Sequence, residues 1–289
     1  MATLSEQDRA DIAAAVAYLE QPSFLFRIAD TVGQPAHALM GRVPARVQQV
    51  VAKATEKALQ QALNLAIFSL GEQKSQAPSP GLHAASAAAV GGLGGLLGLA
   101  TLPLELPVST ALMLRSIAEI ARTEGADLSD PEVRLECLSV LALGGKMPAP
   151  IDAQVIEEGG TVQGESGYWQ TRLGLSLALR SAAHALGGAA GRGVVTRLAV
   201  ESSPVLMRLL GMLAARFQVV VGEKAMAQAL PVLGAATGAM LNAAFADHYN
   251  QVARHHFRLR RLERFAGAGA VQQAYLQALR DRQSRLPNK

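Results

Sequence analysis

The sequence predicts an all-α protein, a multi-helix bundle that contains two Gly/Ala-rich buried helices. Alanine and leucine are abundant, and aromatic residues make up only 4% of the 289 residues. This composition favours helices over strands, and the period-two alternation of a half-buried strand is hard to find. Half of the residues are hydrophobic, so the chain can bury a substantial core without disulfides or bound metal.

The first helix is predicted from Ser5 to about Glu20, because Ser5 and Asp8 have the spacing of a capping box. Pro22 ends it. A second, long amphipathic helix is predicted over 43–66 from its apolar periodicity. Three charged residues should face water on this helix: Lys53, Glu56 and Lys57.

A run without charged residues covers 81–104, and a second such run covers 225–246. Both are long enough to cross a bilayer, and Gly91, Gly94 and Gly95 lie in the first run with the small-residue spacing of close helix packing. Glycine destabilises helix interiors and alanine contributes little to insertion. A buried helical hairpin or the wall of an apolar cavity is therefore an alternative to a membrane span.

Pro103 and Pro107 are predicted to break the first run, since proline lacks the backbone N–H that a helix interior needs. A new helix should follow. On it, Arg115 can pair with Glu119 one turn later or with Glu105 across the break. Either pairing indicates a structural role for these charges, because a charge among apolar residues must be paired.

The next helix is predicted to start at Pro131, after Ser129 or Asp130 as the N-cap, and to end at Gly144. Cys137 lies on its apolar side and is the only cysteine. We expect a buried, unreactive thiol, and a single cysteine excludes an intrachain disulfide.

An acidic loop rich in glycine and proline is predicted over 146–167 and is a candidate lid. Trp169, the only tryptophan, stands at its exit, where apolar and wet regions are expected to meet. Further helices are predicted over 173–186, 194–211, 212–222 and 223–245, then a polar helix from Asp247 and a last helix over 269–285.

Charge is unevenly distributed along the chain. From Arg254 to Lys289 there are nine basic and two acidic residues, so the remainder of the chain is slightly acidic. A basic tail suits a polyanion such as phospholipid headgroups, and a solvated helix face explains the same pattern. We do not expect nucleic acid as the partner. The first residues lack a secretory signal, which predicts a cytoplasmic protein.

Familiar catalytic, nucleotide-binding and metal-binding signatures are absent from the sequence. The glycine run has no preceding strand, which excludes a dinucleotide loop. His255 and His256 are adjacent and point to different helix faces, as do Asp247 and His248. We therefore predict no cofactor, no metal site and no catalytic residue, and a non-enzymatic role is favoured.

Two distant segments resemble the EcsC family. Residues 105–122, ELPVSTALMLRSIAEIAR, are similar to its central signature, and Gly125, 127–131 and 138–145 continue the likeness. The residues similar to its C-terminal motif are 231–239, Asn242, Phe245, 247–249, 253–257 and 260–264. The resemblance covers roughly 40–265 and predicts three parts: an N-terminal helical extension (1–40), an EcsC-like helical domain (41–265) and a C-terminal basic helix or tail (266–289).

The resemblance implies a helical bacterial protein that is cytoplasmic or peripheral at the inner membrane. From these features we predict a membrane-associated protein that binds lipid or a fatty acid in an apolar cavity or at the membrane surface. The predicted ligand-binding residues are Gly91, Gly94, Gly95, Glu105, Arg115, Glu119, Trp169, Asn242, His248, Arg254 and Arg261.

Two other functions fit the sequence. The apolar faces could serve as the interface of a non-catalytic accessory protein of an ABC-type membrane transporter, since the family is named after a product encoded with such an exporter. A hydrolase or metalloenzyme is the other alternative, with its side chains drawn from Glu105, Glu119, Asp127 and His248.

Overall fold

The structure, a computed structural model, describes residues 3–20, 45–70, 101–145, 166–191, 196, 200, 202–228 and 235–285. In these ranges the chain forms eight packed α-helices and no strand, which confirms the all-α prediction. The helices are α1 (Glu6–Leu19), α2 (Ala45–Phe68), α3 (Leu102–Thr123), α4 (Pro131–Leu143), α5 (Gly167–Gly191), α6 (Pro204–Gln228), α7 (Ala235–Ala266) and α8 (Ala268–Arg285).

The predicted helix starts of α1 and α4 are confirmed. Ser5 and Asp8 form the capping box of α1, in which each side chain accepts a hydrogen bond from the other residue's backbone N–H. Asp130 caps α4 by accepting from the N–H of Glu132 at 2.8 Å, with Pro131 in the first turn. Both caps satisfy amide groups that have no partner inside the helix.

α2 presents one small apolar face to α3 and α6. Four alanines at successive four-residue steps line this face and are buried: Ala54, Ala58, Ala62 and Ala66. Small side chains let neighbouring helix backbones approach closely. Lys53, Glu56 and Lys57 are exposed on the other side, as predicted.

α3 runs unbroken through Pro107, so the predicted break after the glycine-rich run is wrong. Proline removes one intrahelical hydrogen bond and crowds the preceding turn, at a cost of about 3 kcal/mol. Leu102 and Leu106 lie one turn apart and are completely buried. Burial of the two leucines offsets much of this cost, at about 1.5–3 kcal/mol for each side chain.

α6 and α7 are longer than predicted. The expected ends near Gly211 and Gly222 do not occur, because α6 is continuous from Pro204 to Gln228. A glycine costs about 1 kcal/mol in a helix interior, which the buried leucines and valines of α6 outweigh. α7 continues through Asp247 without interruption.

The prediction of two Gly/Ala-rich buried helices is only partly covered by the described residues. Residues 71–100, with most of the first run and Gly91, Gly94 and Gly95, lie outside the described residues. The described parts of the second run belong to the end of α6 and the start of α7, and residues 229–234 between them lie outside the described residues.

One helix in the described part of the chain, Pro204–Ala227, is long and apolar enough to span a membrane, with a mean hydropathy of 1.6. It contains buried Arg216 and Lys224. Its most apolar stretch is 44% buried inside the bundle. Length and composition are therefore weak evidence for a span here.

α3 packs against α2 and α7, while α4, α5 and α6 pack on one another. α1 and α8 lie together on α7.

α5 begins at Gly167, earlier than predicted, which places Trp169 in its first turn and not in the preceding loop.

Candidate functional site

The outer face of α3 is apolar at its start and basic further along. We define this face as Leu104, Val108, Ala111, Leu112 and Arg115, which recur at helical spacing. Leu104 is 71% exposed and Val108 is 47% exposed. At a rise of about 1.5 Å per residue, the face extends roughly 16 Å from Leu104 to the exposed Arg115.

Arg115 has no ion pair among the described residues. Glu119, one turn later, instead pairs with Arg122 at 2.7 Å. Glu105 pairs with Lys224. Both predicted pairings of Arg115 are therefore wrong, because each carboxylate has a closer cation that also fits its helix face. The Arg115 side chain is exposed on the outer face of α3.

Directly beneath the apolar start of this face lies a buried ion pair. The Lys224 Nζ is 2.6 Å from the Glu105 Oε1, and the two side chains are 0% and 2% exposed. The ammonium also lies 4.9 Å from the ring centroid of Phe245 on α7. Burial lowers the pKa of Lys224, and the Glu105 carboxylate partly opposes that shift. The pair thus joins α3, α6 and α7 at one point.

The sequence did not predict the ion pair of Lys224. The only signal was its position as a single lysine at the start of the second charge-free run, and its partner lies 119 residues away. Asn242, a predicted ligand-binding residue, is buried one turn before Phe245 on α7. It therefore lies at the same level of the bundle as the ion pair.

His248 connects three helices and is buried. Its Nε2 lies 2.8 Å from the carbonyl oxygen of Gly144, and its Nδ1 lies 3.3 Å from the hydroxyl of Tyr18. A carbonyl only accepts, so Nε2 carries the proton and the Tyr18 hydroxyl donates to Nδ1. The contacts give His248 a structural role between α1, α4 and α7.

The basic segment of α7 is largely engaged within the protein. Arg261 lies 2.9 Å from the buried Glu124 at the end of α3, and Arg258 contacts both Glu124 and Asp11. Arg264 donates to the Glu124 carbonyl at 2.7 Å. These cations stabilise the carboxyl end of α3, where the helix dipole is negative. Arg254, also predicted to bind ligand, is exposed.

A buried polar network between α4, α5 and α7 was also not predicted from the sequence. The Tyr168 hydroxyl donates to His256 Nδ1 at 2.8 Å, and His256 Nε2 donates to Glu136 at 3.2 Å. Arg260 reaches the same Glu136 oxygen at 2.6 Å. His256 is 88 residues from Tyr168 and 120 residues from Glu136 along the chain. No local pattern in the sequence therefore indicates the network.

Glu136 is held as a carboxylate by this network. Burial alone would raise its pKa, but the hydrogen bond from His256 and the positive charges of Arg260 and Arg172 outweigh burial and lower the pKa from 4.5 to about 2. Burial lowers the pKa of His256 despite Glu136. The imidazole is therefore neutral and donates one N–H to the carboxylate.

Trp169 is part of the core beside this network. Its indole is almost completely buried, and the Arg172 guanidinium lies 4.6 Å from its ring centroid. Arg172 in turn forms a bidentate ion pair with Glu263 at 2.6 and 2.5 Å. The structure therefore places Trp169 away from solvent and from the outer face of α3.

Residues of the alternative enzymatic hypothesis have separate partners. Asp127 accepts from the N–H of Ser129, Glu119 pairs with Arg122, and Glu105 pairs with Lys224. Within the ranges that the structure describes, no group of three or more His, Cys, Asp or Glu side chains is placed to hold a metal ion. Cys137 is fully buried as predicted, and burial raises its pKa, which makes the thiol unreactive.

The site is therefore an amphipathic helix face above a buried ion pair. No curated protein and no solved structure matches the chain. The model of the EcsC protein family matches residues 18–262. That match spans most of the chain from the end of α1 to the last turn of α7, and the protein therefore belongs to the EcsC protein family.

Proposed function

We propose that this protein binds anionic lipid at a membrane surface through the outer face of α3. The observation that supports this most is the order of side chains along that face. Two exposed aliphatic residues, Leu104 and Val108, precede Arg115, an exposed cation that has no carboxylate partner in the described part of the chain. An anionic amphiphile has the same order, with acyl carbons first and a charged headgroup next.

The size of this face predicts weak and reversible binding. Covering the exposed parts of Leu104 and Val108 contributes about 2 kcal/mol, and one arginine near an anionic surface adds about 1 kcal/mol. A total of about 3 kcal/mol corresponds to an affinity weaker than millimolar. The charge-free residues 81–100 directly precede α3, and their apolar area would strengthen the contact.

Arg115 is a better headgroup contact than the basic segment of α7. Arg258 and Arg261 already share Glu124, so binding a phosphate would compete with an internal ion pair. Arg254 is exposed and adds a second, weaker contact. A protein of this kind would be peripheral at the cytoplasmic side of the inner membrane.

Vesicle flotation tests the proposal. Wild-type protein should float with vesicles containing phosphatidylglycerol and much less with phosphatidylcholine alone. The double variant L104S/V108S should bind roughly thirtyfold more weakly, which is the equivalent of about 2 kcal/mol. Arg115→Gln should weaken binding by about fivefold, the equivalent of about 1 kcal/mol.

α5 offers matched controls, since Leu173 and Leu177 are two exposed leucines one turn apart, and the exposed Arg180, unlike Arg115, has a carboxylate partner, Glu132, at 3.9 Å. L173S/L177S and Arg180→Gln should bind like the wild type. Equal losses from α3 and α5 variants would contradict a specific role of α3. A wild-type protein that ignores both vesicle types would refute lipid binding and favour a protein partner for this face.

A further inference from the structure

The Glu105–Lys224 pair is not explained by stability alone. Both charges are withdrawn from water, with side-chain exposures of 2% and 0%. Desolvation of two ions offsets much or all of their attraction, and apolar residues of similar size are often as stabilising in such a place. A buried pair of this kind serves better to fix a unique arrangement than to add stability.

The turn that Glu105 belongs to is weakly fixed by its own backbone. In an α-helix the carbonyl of residue 103 accepts from the N–H of residue 107. Residue 107 is proline and lies inside α3, so this hydrogen bond is missing. Pro103 has no N–H either. Side-chain contacts therefore decide how the turn 102–105 is oriented.

The orientation of this turn determines whether Leu104 faces outward. Successive helix residues are about 100° apart, so a Glu105 side chain directed at Lys224 places Leu104 on the adjacent, outer side. Leu104 is accordingly the most exposed large hydrophobic side chain in the described residues, at 71%. Rotation of the turn would carry Leu104 out of line with Val108.

We propose that Glu105 and Lys224 are positioning residues that fix the first turn of α3 so that Leu104 and Val108 form one continuous lipid-contacting face. This inference rests on the proposed lipid binding. Neither residue contacts lipid itself, since both are buried; the pair acts through the orientation of Leu104.

The test compares wild type with E105L/K224M, which replaces the pair by apolar side chains and leaves no buried charge without a partner. Three quantities are measured: the urea midpoint of unfolding, amide hydrogen exchange over 102–106, where the N–H groups of Glu105 and Leu106 have helical acceptors, and flotation with phosphatidylglycerol vesicles. We expect an unchanged or higher urea midpoint, faster exchange in the first turn of α3, and vesicle binding weakened by about fivefold or more.

Two further variants separate positioning from general damage. R172M/E263L removes another ion pair, between α5 and α7, and should leave vesicle binding unchanged. The swapped pair E105K/K224E should recover slow exchange and most of the binding. The inference would be overturned if E105L/K224M is folded, exchanges its 102–106 amides slowly and binds vesicles within about twofold of wild type. Such a result would leave the proposed lipid binding intact.

Failure of lipid binding has a different signature. If wild type does not float with either vesicle type, the proposed function is wrong. In that case amide exchange still decides whether the pair fixes the turn, and equal protection in wild type and E105L/K224M would overturn the positioning role as well.

Discussion

Gly144 has room for hydrogen but not for a methyl group. A Cβ at this position would lie 2.5 Å from Cε1 of Tyr249 and 2.9 Å from Nε2 of His248. Both rings are buried and hydrogen-bonded or packed between helices. The end of α4 can therefore approach α7 only because residue 144 is glycine.

Gly144→Ala should destabilise the protein by about 1 to 3 kcal/mol, the usual cost of overpacking a core. Gly211→Ala is the matched control, because nothing lies within 4 Å of a Cβ added there in α6. It should stabilise by up to about 1 kcal/mol through helix propensity. Urea unfolding measures both changes, and a Gly144→Ala protein as stable as wild type would contradict the close contact.

Glu136 should make stability depend on pH. Its pKa is about 2 in the folded protein and ordinarily 4.5. The stabilisation is therefore complete above pH 4.5 and is lost as pH falls through about 2. A shift of this size corresponds to about 3 kcal/mol.

Glu136→Gln should thus be less stable than wild type at pH 7, by up to about 3 kcal/mol, and the difference should shrink steadily below pH 4.5. Urea titrations at a series of pH values give this difference. If the difference in unfolding free energy between wild type and Glu136→Gln stays constant down to pH 3, the carboxylate charge is not the source of the stabilisation by Glu136.

At the residue scale, properties set by neighbours in sequence were predictable and long-range partners were not. The caps at Ser5 and Asp130 and the burial of Cys137 follow from local pattern. The partner of Glu105 is 119 residues away, and no spacing rule connects such positions. For this reason Lys224 and the Tyr168 network were found only in the structure.

At the scale of single helices, α1 tests how much its cap contributes. Ser5→Ala removes the hydroxyl that accepts from Asp8 and should cost about 1 kcal/mol, whereas Ser5→Gly should cost only a few tenths. Amide exchange in α1 is the appropriate measurement, because the loss can appear as fraying of this helix. Equal exchange in Ser5→Ala and wild type would mean that packing on α7 and α8 alone holds α1.

Helix positions and the ends of α1 and α4 were predictable, but the interruptions predicted within α3 and α6 were wrong. Pro107, Gly211 and Gly222 each suggested a break, and α3 and α6 continue through them. Local preferences of about 1 to 3 kcal/mol at these positions are outweighed by the burial of several large side chains on the same helix. Tertiary packing, which the local sequence does not display, decides where these helices end.

For the whole molecule, part of the uneven charge along the sequence is balanced in space. The basic stretch of α7 meets Glu124 and Asp11, which come from segments far away in sequence. The prediction of a basic tail directed at a polyanion is therefore untested for Arg254 and weakened for Arg261. The outer face of α3, in contrast, retains an exposed cation beside exposed aliphatic residues.

Lipid binding through this face is tested most directly by flotation of the wild-type protein with phosphatidylglycerol-containing vesicles, in parallel with L104S/V108S. The account predicts that wild type floats, that added salt weakens its binding, and that the variant stays at the bottom of the gradient although it unfolds at the same urea concentration. Wild type and variant that float equally, or that both fail to float, would contradict it.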